Sequence, residues 1–283
     1  MNLKSNASLP NFQADGLTIT ATESWFKVKV QLIRSYLQAF IINTSSKADE
    51  IIFVDLFAGS GLYSVGHQKD VFSGSSLASI LTEPPFHKWI FCESNAEQAA
   101  ALDKRIKKYF PEKNTCVFNI PESELIQILN SAVPSAKAGK KVAVLCLVDP
   151  FSLNISLNTV DKLASAGYSL LIPFTFPLNS RLDCVYYSQE QGELLKKFIG
   201  GHHHERLSNI DSNHHFYRKL VQLYQTNLMV HGLNSALSSH KLESNMMALP
   251  AYTIGLFSKQ FSAQAIQRDV NVSEFLQFDL FSA

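Results

Sequence analysis

The stretch IIFVDLFAGSG, residues 51–61, ends an apolar run in Asp55 and then becomes a glycine-rich loop carrying Gly59 and Gly61. A carboxylate at the mouth of a buried strand, next to backbone without Cβ atoms, suits a ligand that approaches main-chain N–H groups closely. Three more apolar runs end in polar side chains. HKWIFCE ends in Glu93 with Ser94 behind it, TCVFN ends in Asn119 with Glu122 close by, and AVLCLVDPF ends in Asp149, Pro150 and Phe151. If these runs are parallel strands, all four polar ends meet along one edge of a sheet, where ligands bind in open α/β folds.

Three ligand classes compete for that edge. A phosphate-cradling P-loop needs a lysine and a Ser/Thr after its glycines, and here Leu62, Tyr63 and Ser64 follow. A dinucleotide fingerprint wants a third glycine where Ser64 stands and an acid about twenty residues on, whereas Glu93 lies thirty-four residues after Gly59. NAD fits this poorly. The loop Phe57, Ala58, Gly59, Ser60, Gly61 behind Asp55 suits S-adenosyl-L-methionine better. A carboxylate complements that cofactor's ammonium and sulfonium and would repel a pyrophosphate. Glu93, purely an acceptor when ionised, then takes the ribose hydroxyls. Asn119 and Glu122 fall where the adenine would lie.

The elements that must position these residues alternate between strand and helix signals, the pattern of a mainly parallel sheet covered on both faces. Thr20 and Glu23 form a potential capping box before Phe26, Val30, Ile33, Leu37 and Phe40, which recur at helical spacing, so an N-terminal helix is expected over about 22–43. Strands are expected at 51–55, 88–93, 115–119, 141–148 and 168–176. Helices are expected near 74–83, 95–109, 122–132 and 155–165, the second opened by a box of Ser94 and Glu97. Helical stretches near 189–199 and 214–227 follow, and YTIGLFS (252–258) with EFLQFDLF (274–281) is expected to add an edge hairpin. The domain expectation is a polar segment over 1–21 and one domain over 22–283, with its core at 48–180 and an elaboration at 181–283.

Composition narrows the function. The 283 residues carry a net charge of +1, so there is no global basic field for non-specific nucleic-acid binding, and any such contact must be local. Lys104, Arg105, Lys107 and Lys108 read as a solvated helix face. Cys92, Cys116, Cys146 and Cys184 show no C-x-x-C spacing and read as reduced core residues of a cytoplasmic protein. The polar N-terminus lacks the apolar region of a secretion signal, and no apolar run reaches about 18 residues. His202, His203, His204, His214 and His215 come without a closed ligand set, so no metal is expected. There is no G-x-S-x-G elbow.

IIFVDLFAGSG together with SGSSLASI, WIFCESN, LVDPF and YTIGLFSKQ resembles the three-Cys-motif partner (TcmP) family, a group similar to class I S-adenosyl-L-methionine-dependent methyltransferases. The likeness runs from Lys29 to the late strand. It implies an α/β, Rossmann-like, doubly wound fold with an N-terminal helix and a C-terminal elaboration, and a three-cysteine partner protein. Gly74-Ser75 matches a family Gly-Ser, and Arg181 matches an arginine after the fifth strand. The chain departs from the family at Ser152, where a glycine is usual, and at Ser60, where a proline is usual.

Methyl transfer to an in-line nucleophile would draw mainly on positioning. Asp149, Pro150 and Phe151 resemble the site of enzymes that methylate amino groups of nucleic-acid bases, with one proline in place of two. There the acid accepts from the exocyclic amine and the aromatic stacks on the base. Carbon methylation of cytosine would need a Pro-Cys nucleophile, and no such pair occurs. Lys29 and Arg181 read as ion-pair residues or, for a phosphate-bearing substrate, as clamps. An accessory subunit that docks on a partner and transfers nothing stays open as the other reading.

Overall fold

The strand candidates are near-continuous runs of Ile, Val, Leu and Phe, which require burial on both faces. In the computed structural model, which describes residues 12–66, 70–133 and 140–270, the candidates at 51–55, 88–93, 141–148 and 168–176 have it, whereas 115–119 is only half-buried. The elements run β1 (Thr20–Thr22), α1 (Trp25–Thr44), β2 (Glu50–Asp55), β3 (Leu62–Val65), β4 (Asp70–Ser73), α2 (Ser75–Ile80), β5 (Lys88–Glu93) and α3 (Ala96–Tyr109). They continue with β6 (Thr115–Asn119), α4 (Leu125–Ala132), β7 (Val142–Leu147), α5 (Leu157–Ser165), β8 (Ser169–Phe174), α6 (Cys184–Gln189), α7 (Gly192–Ile199), α8 (Asn213–Val230), β9 (Asn234–Lys241) and β10 (Ala251–Ser258).

The main sheet has the order β6-β5-β2-β7-β8-β10-β9. The first five are mutually parallel, and β10 runs antiparallel to both β8 and β9. From β2 the chain steps outward through β5 to β6, then returns to the other side of β2 with β7. The strand order therefore reverses between β2 and β7, and a crevice opens at their carboxyl ends. The register aligns Asp55 with Phe91 on one side and Leu147 on the other, and Glu93 with Asn119. The polar strand ends do share one edge.

Several local expectations are corrected by tertiary contacts. Thr20 does not cap α1; it pairs with Tyr63 as β1 joins a small sheet of order β1-β3-β4. Glu23 accepts from the Trp25 indole (2.8 Å), from the Asn245 amide (2.9 Å) and from the Ser244 hydroxyl, so it ties the helix start to the loop before β10. At α3 the cap lies one residue later than expected: the Asn95 side chain accepts from the Gln98 amide at 3.0 Å, and Glu97 accepts from Thr18. The helix expected over 189–199 is α7, starting at Gly192, and a further short helix, α6, precedes it.

The edge hairpin is built from β9 and β10, with Ala251 opposite Lys241 and Ser258 opposite Asn234. Residues 274–281, expected in that role, lie outside the described residues. The β9 sequence NSALSSHK is polar because only one of its residues, Ala236, is buried. Its contact with α1 is polar too, from the Tyr36 hydroxyl to Ser238 Oγ at 2.7 Å.

Arg105 corrects the reading of the basic run. Lys104, Lys107 and Lys108 are exposed, but Arg105 is buried. Its guanidinium forks onto Asp15 (2.8 and 2.7 Å) and donates to the carbonyls of Thr18 (2.9 Å) and Ser60 (2.6 Å). Such a bidentate pair is directional as well as charged. It fastens the segment before β1 to the glycine-rich loop.

Candidate functional site

Asp55 ends β2 fully buried. Its Oδ1 accepts from the Phe57 amide (3.1 Å) and its Oδ2 from the Ser75 hydroxyl (3.0 Å). Burial, with help from the charges of Asp149 and Glu93, pushes its pKa up to about 7 against the lowering effect of those two hydrogen bonds. Glu93 ends β5 with Oε2 accepting from the Gly59 amide (2.9 Å) and Oε1 from the Asn95 amide (2.8 Å). The loop after β2 is thus held at Phe57 by one carboxylate and at Gly59 by the other.

Asp149 follows β7. Its Oδ2 lies 2.7 Å from the Lys29 ammonium of α1, and its Oδ1 accepts from the Thr175 hydroxyl at 3.1 Å. Lys29 is 1% exposed. Its ammonium also lies 3.8 Å from the centre of the Phe26 ring and 5.7 Å from that of Phe151. Desolvation lowers the lysine's pKa, and Asp149 opposes the shift. Phe151 adopts φ +47°, a left-handed conformation that bulky side chains rarely take. Its ring meets Phe26 edge-on at 5.6 Å.

These groups surround a cavity of about 320 Å³. Of the residues assigned to the site from the sequence, Lys29, Phe57, Gly59, Glu93, Ser94, Glu122, Asp149, Pro150 and Phe151 line it, and Thr20, Ser75 and Ser152, singled out on other grounds, line it too. Asp55, Ala58, Ser60 and Gly61 lie behind that lining. Ala58 donates its amide to the Cys92 carbonyl (3.0 Å), and the Gly61 carbonyl accepts from Gly74 (2.8 Å). Gly61, at φ +84°, is required by packing: a Cβ would lie 2.8 Å from Leu102 and 3.0 Å from Leu77. The Gly59 amide is engaged by Glu93, so the loop offers a ligand less free N–H than its glycines suggest.

Asn119 is exposed and does not line the cavity. Its amide donates to the carbonyls of Glu93 and Ser94, both at 2.9 Å, and so braces the end of β5. Glu122 accepts at one oxygen from the Ser156 amide (2.8 Å) and the Thr159 hydroxyl (2.7 Å), which fixes it against the start of α5. Arg181 is exposed and away from the lining, its backbone amide bonded to Asn179.

Lining residues that sequence reasoning missed include Phe26 and Val30 from α1, Tyr63 from β3, and Gln98 from α3. The first two belong to an apolar helical stripe and look like ordinary core. Tyr63 comes two residues after the glycine loop, and that proximity was the only signal. No cluster of three potential metal ligands occurs among the described residues, and no helix there is long and apolar enough to cross a membrane.

No protein-family model and no curated protein matches the chain. Among solved structures, a protein from Legionella pneumophila matches with 11% identity and a TM-score of 0.50, over 88% of this chain and 91% of its own. Trm1 from Pyrococcus horikoshii, solved with S-adenosyl-L-methionine, matches with 11% identity and a TM-score of 0.47, over 92% of this chain and 64% of its own. An O-methyltransferase from Bacillus cereus, solved with SAH, matches with 9% identity and a TM-score of 0.43, over 80% of each chain. The likeness is one of fold. The Rossmann-like, doubly wound and mainly parallel sheet expected from the sequence is present, with its switch point at the cavity.

Proposed function

We propose that the chain is an S-adenosyl-L-methionine-dependent methyltransferase of the three-Cys-motif partner type, acting on an amino group of a nucleic-acid base. The observation that carries the reading is the charge pattern of the switch-point cavity. Glu93, Glu122 and Asp149 line it, and Lys29 is its one lysine or arginine among the described residues, already paired with Asp149. A cationic thioether nucleoside is favoured in such a site, and a pyrophosphate is repelled.

The residues fit the cofactor. Glu93 keeps lone pairs beyond its two backbone bonds and can take ribose hydroxyls. Ser94 and Glu122 lie on the same lining, with Asn119 bracing the strand end behind them. Asp55 acts through the loop, holding Phe57, and with it Ala58, Gly59, Ser60 and Gly61, in place. When bound, the cofactor supplies an electrophilic methyl group. Asp149 would accept a hydrogen bond from the amine to be methylated, while Pro150 and the constrained Phe151 present an aromatic face to its base. Arg181, exposed at the surface, is free to meet a substrate phosphate.

One observation favours a second reading, that of an accessory subunit which docks on a partner and transfers nothing. Both Asp149 oxygens are engaged, by Lys29 and by Thr175.

Calorimetric titration with S-adenosyl-L-methionine and with NAD tests the pocket, and heat from NAD alone would reverse the assignment. Transfer of labelled methyl to pooled RNA and DNA, lost in Asp149→Ala, separates enzyme from accessory subunit. Absence of label even with a three-cysteine partner supplied would favour the latter.

A further inference from the structure

Tyr63 is held in the cavity by two glycines that make room for it. A Cβ on Gly74 would lie 2.3 Å from the edge of its ring, and a Cβ on Gly59 would lie 3.3 Å from its hydroxyl oxygen. The ring stacks on Phe72 (centroids 5.9 Å apart) and packs against Phe26 (5.2 Å), so its direction is fixed from both faces. The hydroxyl makes no hydrogen bond to any described residue, although the side chain lines the cavity. Burial and the nearby charges of Asp149, Asp55 and Glu93 raise its pKa, which keeps it a donor at neutral pH.

A fixed donor without a partner among the described residues, set among carboxylates that only accept when ionised, is placed to serve an acceptor on the ligand. Resting on the methyltransferase reading, we propose that the Tyr63 hydroxyl donates to the carboxylate of the cofactor's amino-acid tail and sets the site's selectivity for nucleosides that carry this tail. The lining supports that assignment. Glu93, Glu122 and Asp149 repel an incoming carboxylate, and the Lys29 ammonium is held at 2.7 Å by Asp149. The tail needs a neutral donor that nothing else occupies. Tyr63 supplies it over Gly59, the residue whose amide holds Glu93.

The test compares dissociation constants of the full chain and of Tyr63→Phe, by calorimetry, for S-adenosylhomocysteine and for methylthioadenosine, which is the same thioether nucleoside without the amino-acid tail. Phenylalanine keeps the ring packing, and an unchanged melting temperature shows that the fold is intact. The expected result is roughly tenfold weaker binding of S-adenosylhomocysteine, as for a lost hydrogen bond to a charged group, with methylthioadenosine unaffected. Equal weakening of both ligands, or of neither, overturns the assignment while leaving the methyltransferase reading intact. A wild-type chain that binds neither ligand overturns both.

Discussion

The Lys29 ammonium lies 2.7 Å from the Asp149 carboxylate, joining the N-terminal helix to the end of the central strand β7 across 120 residues of chain. Both groups lie at a cavity that the lysine's own helix helps to line. Their separation would cost more than the pair's formation contributes, because Lys29 would be left buried among the rings of Trp25, Phe26 and Phe151 and Asp149 would lose its counter-charge beside an acidic lining.

Lys29→Met is therefore expected to lower the unfolding free energy by about 3 kcal/mol, with Asp149 left unpaired. Adding Asp149→Asn should restore a large part of that loss. Urea unfolding of the two single variants and the double variant measures the coupling directly, and additive losses would show that the two side chains do not interact.

Asp55 makes stability depend on pH in the less common direction for a carboxyl. Its folded pKa is raised to about 7 from an unfolded value near 3.8, so between those values the folded state binds more protons than the unfolded one. Stability from this residue is full below the window and declines as pH rises through it, by on the order of 2–4 kcal/mol. Asp55→Asn should flatten the pH dependence of the urea midpoint across that window, and an unchanged slope would refute the raised pKa.

Gly74→Ala should destabilise the protein by about 1–3 kcal/mol through overpacking against the Tyr63 ring. The backbone at Gly74 has an ordinary φ of −76°, so the penalty is one of space alone. In a Tyr63→Ala background the same substitution should cost clearly less, which thermal or chemical denaturation of the four-member cycle would reveal.

Arg105→Met should release the segment before β1. Loss of the fork to Asp15 and of the bonds to Thr18 and Ser60 is expected to cost about 3–5 kcal/mol and to increase proteolytic cleavage over residues 12–22. The guanidinium holds the Asp15 pKa below its ordinary value. That part of the stability is present above about pH 3.8 and is lost as pH falls further. Limited proteolysis and acid titration of the wild type and the variant test both statements.

Strands β2, β5, β7 and β8 were legible because burial on both faces leaves an unbroken apolar run, and their polar ends stand out against it. β9 was not, since its half-exposed positions are filled by Ser, His and Lys, and β1, β3 and β4 are too short to show a period. Thr20 and Glu23 obey the spacing of a cap, but each is claimed by a partner far away in sequence, Tyr63 for one and the loop at 244–245 for the other. Arg105 stands among lysines and has the sequence context of a solvated residue, because its partner Asp15 lies ninety residues upstream. The same division holds at the site. Acids that terminate strands announce themselves, whereas Phe26, Tyr63 and Gln98 reach the cavity from elements whose placement only the folded chain defines.

The backbone between Phe57 and Gly61 is gripped from four directions, by Asp55, Glu93, Ser76 and Arg105. The cationic cofactor proposed for the cavity would meet, at Phe57 and Gly59, a loop whose disorder was already surrendered during folding. Its on-rate is then governed by diffusion through the opening and by the pull of the acidic lining, and should fall as salt is added, with no slow rearrangement of the loop in between.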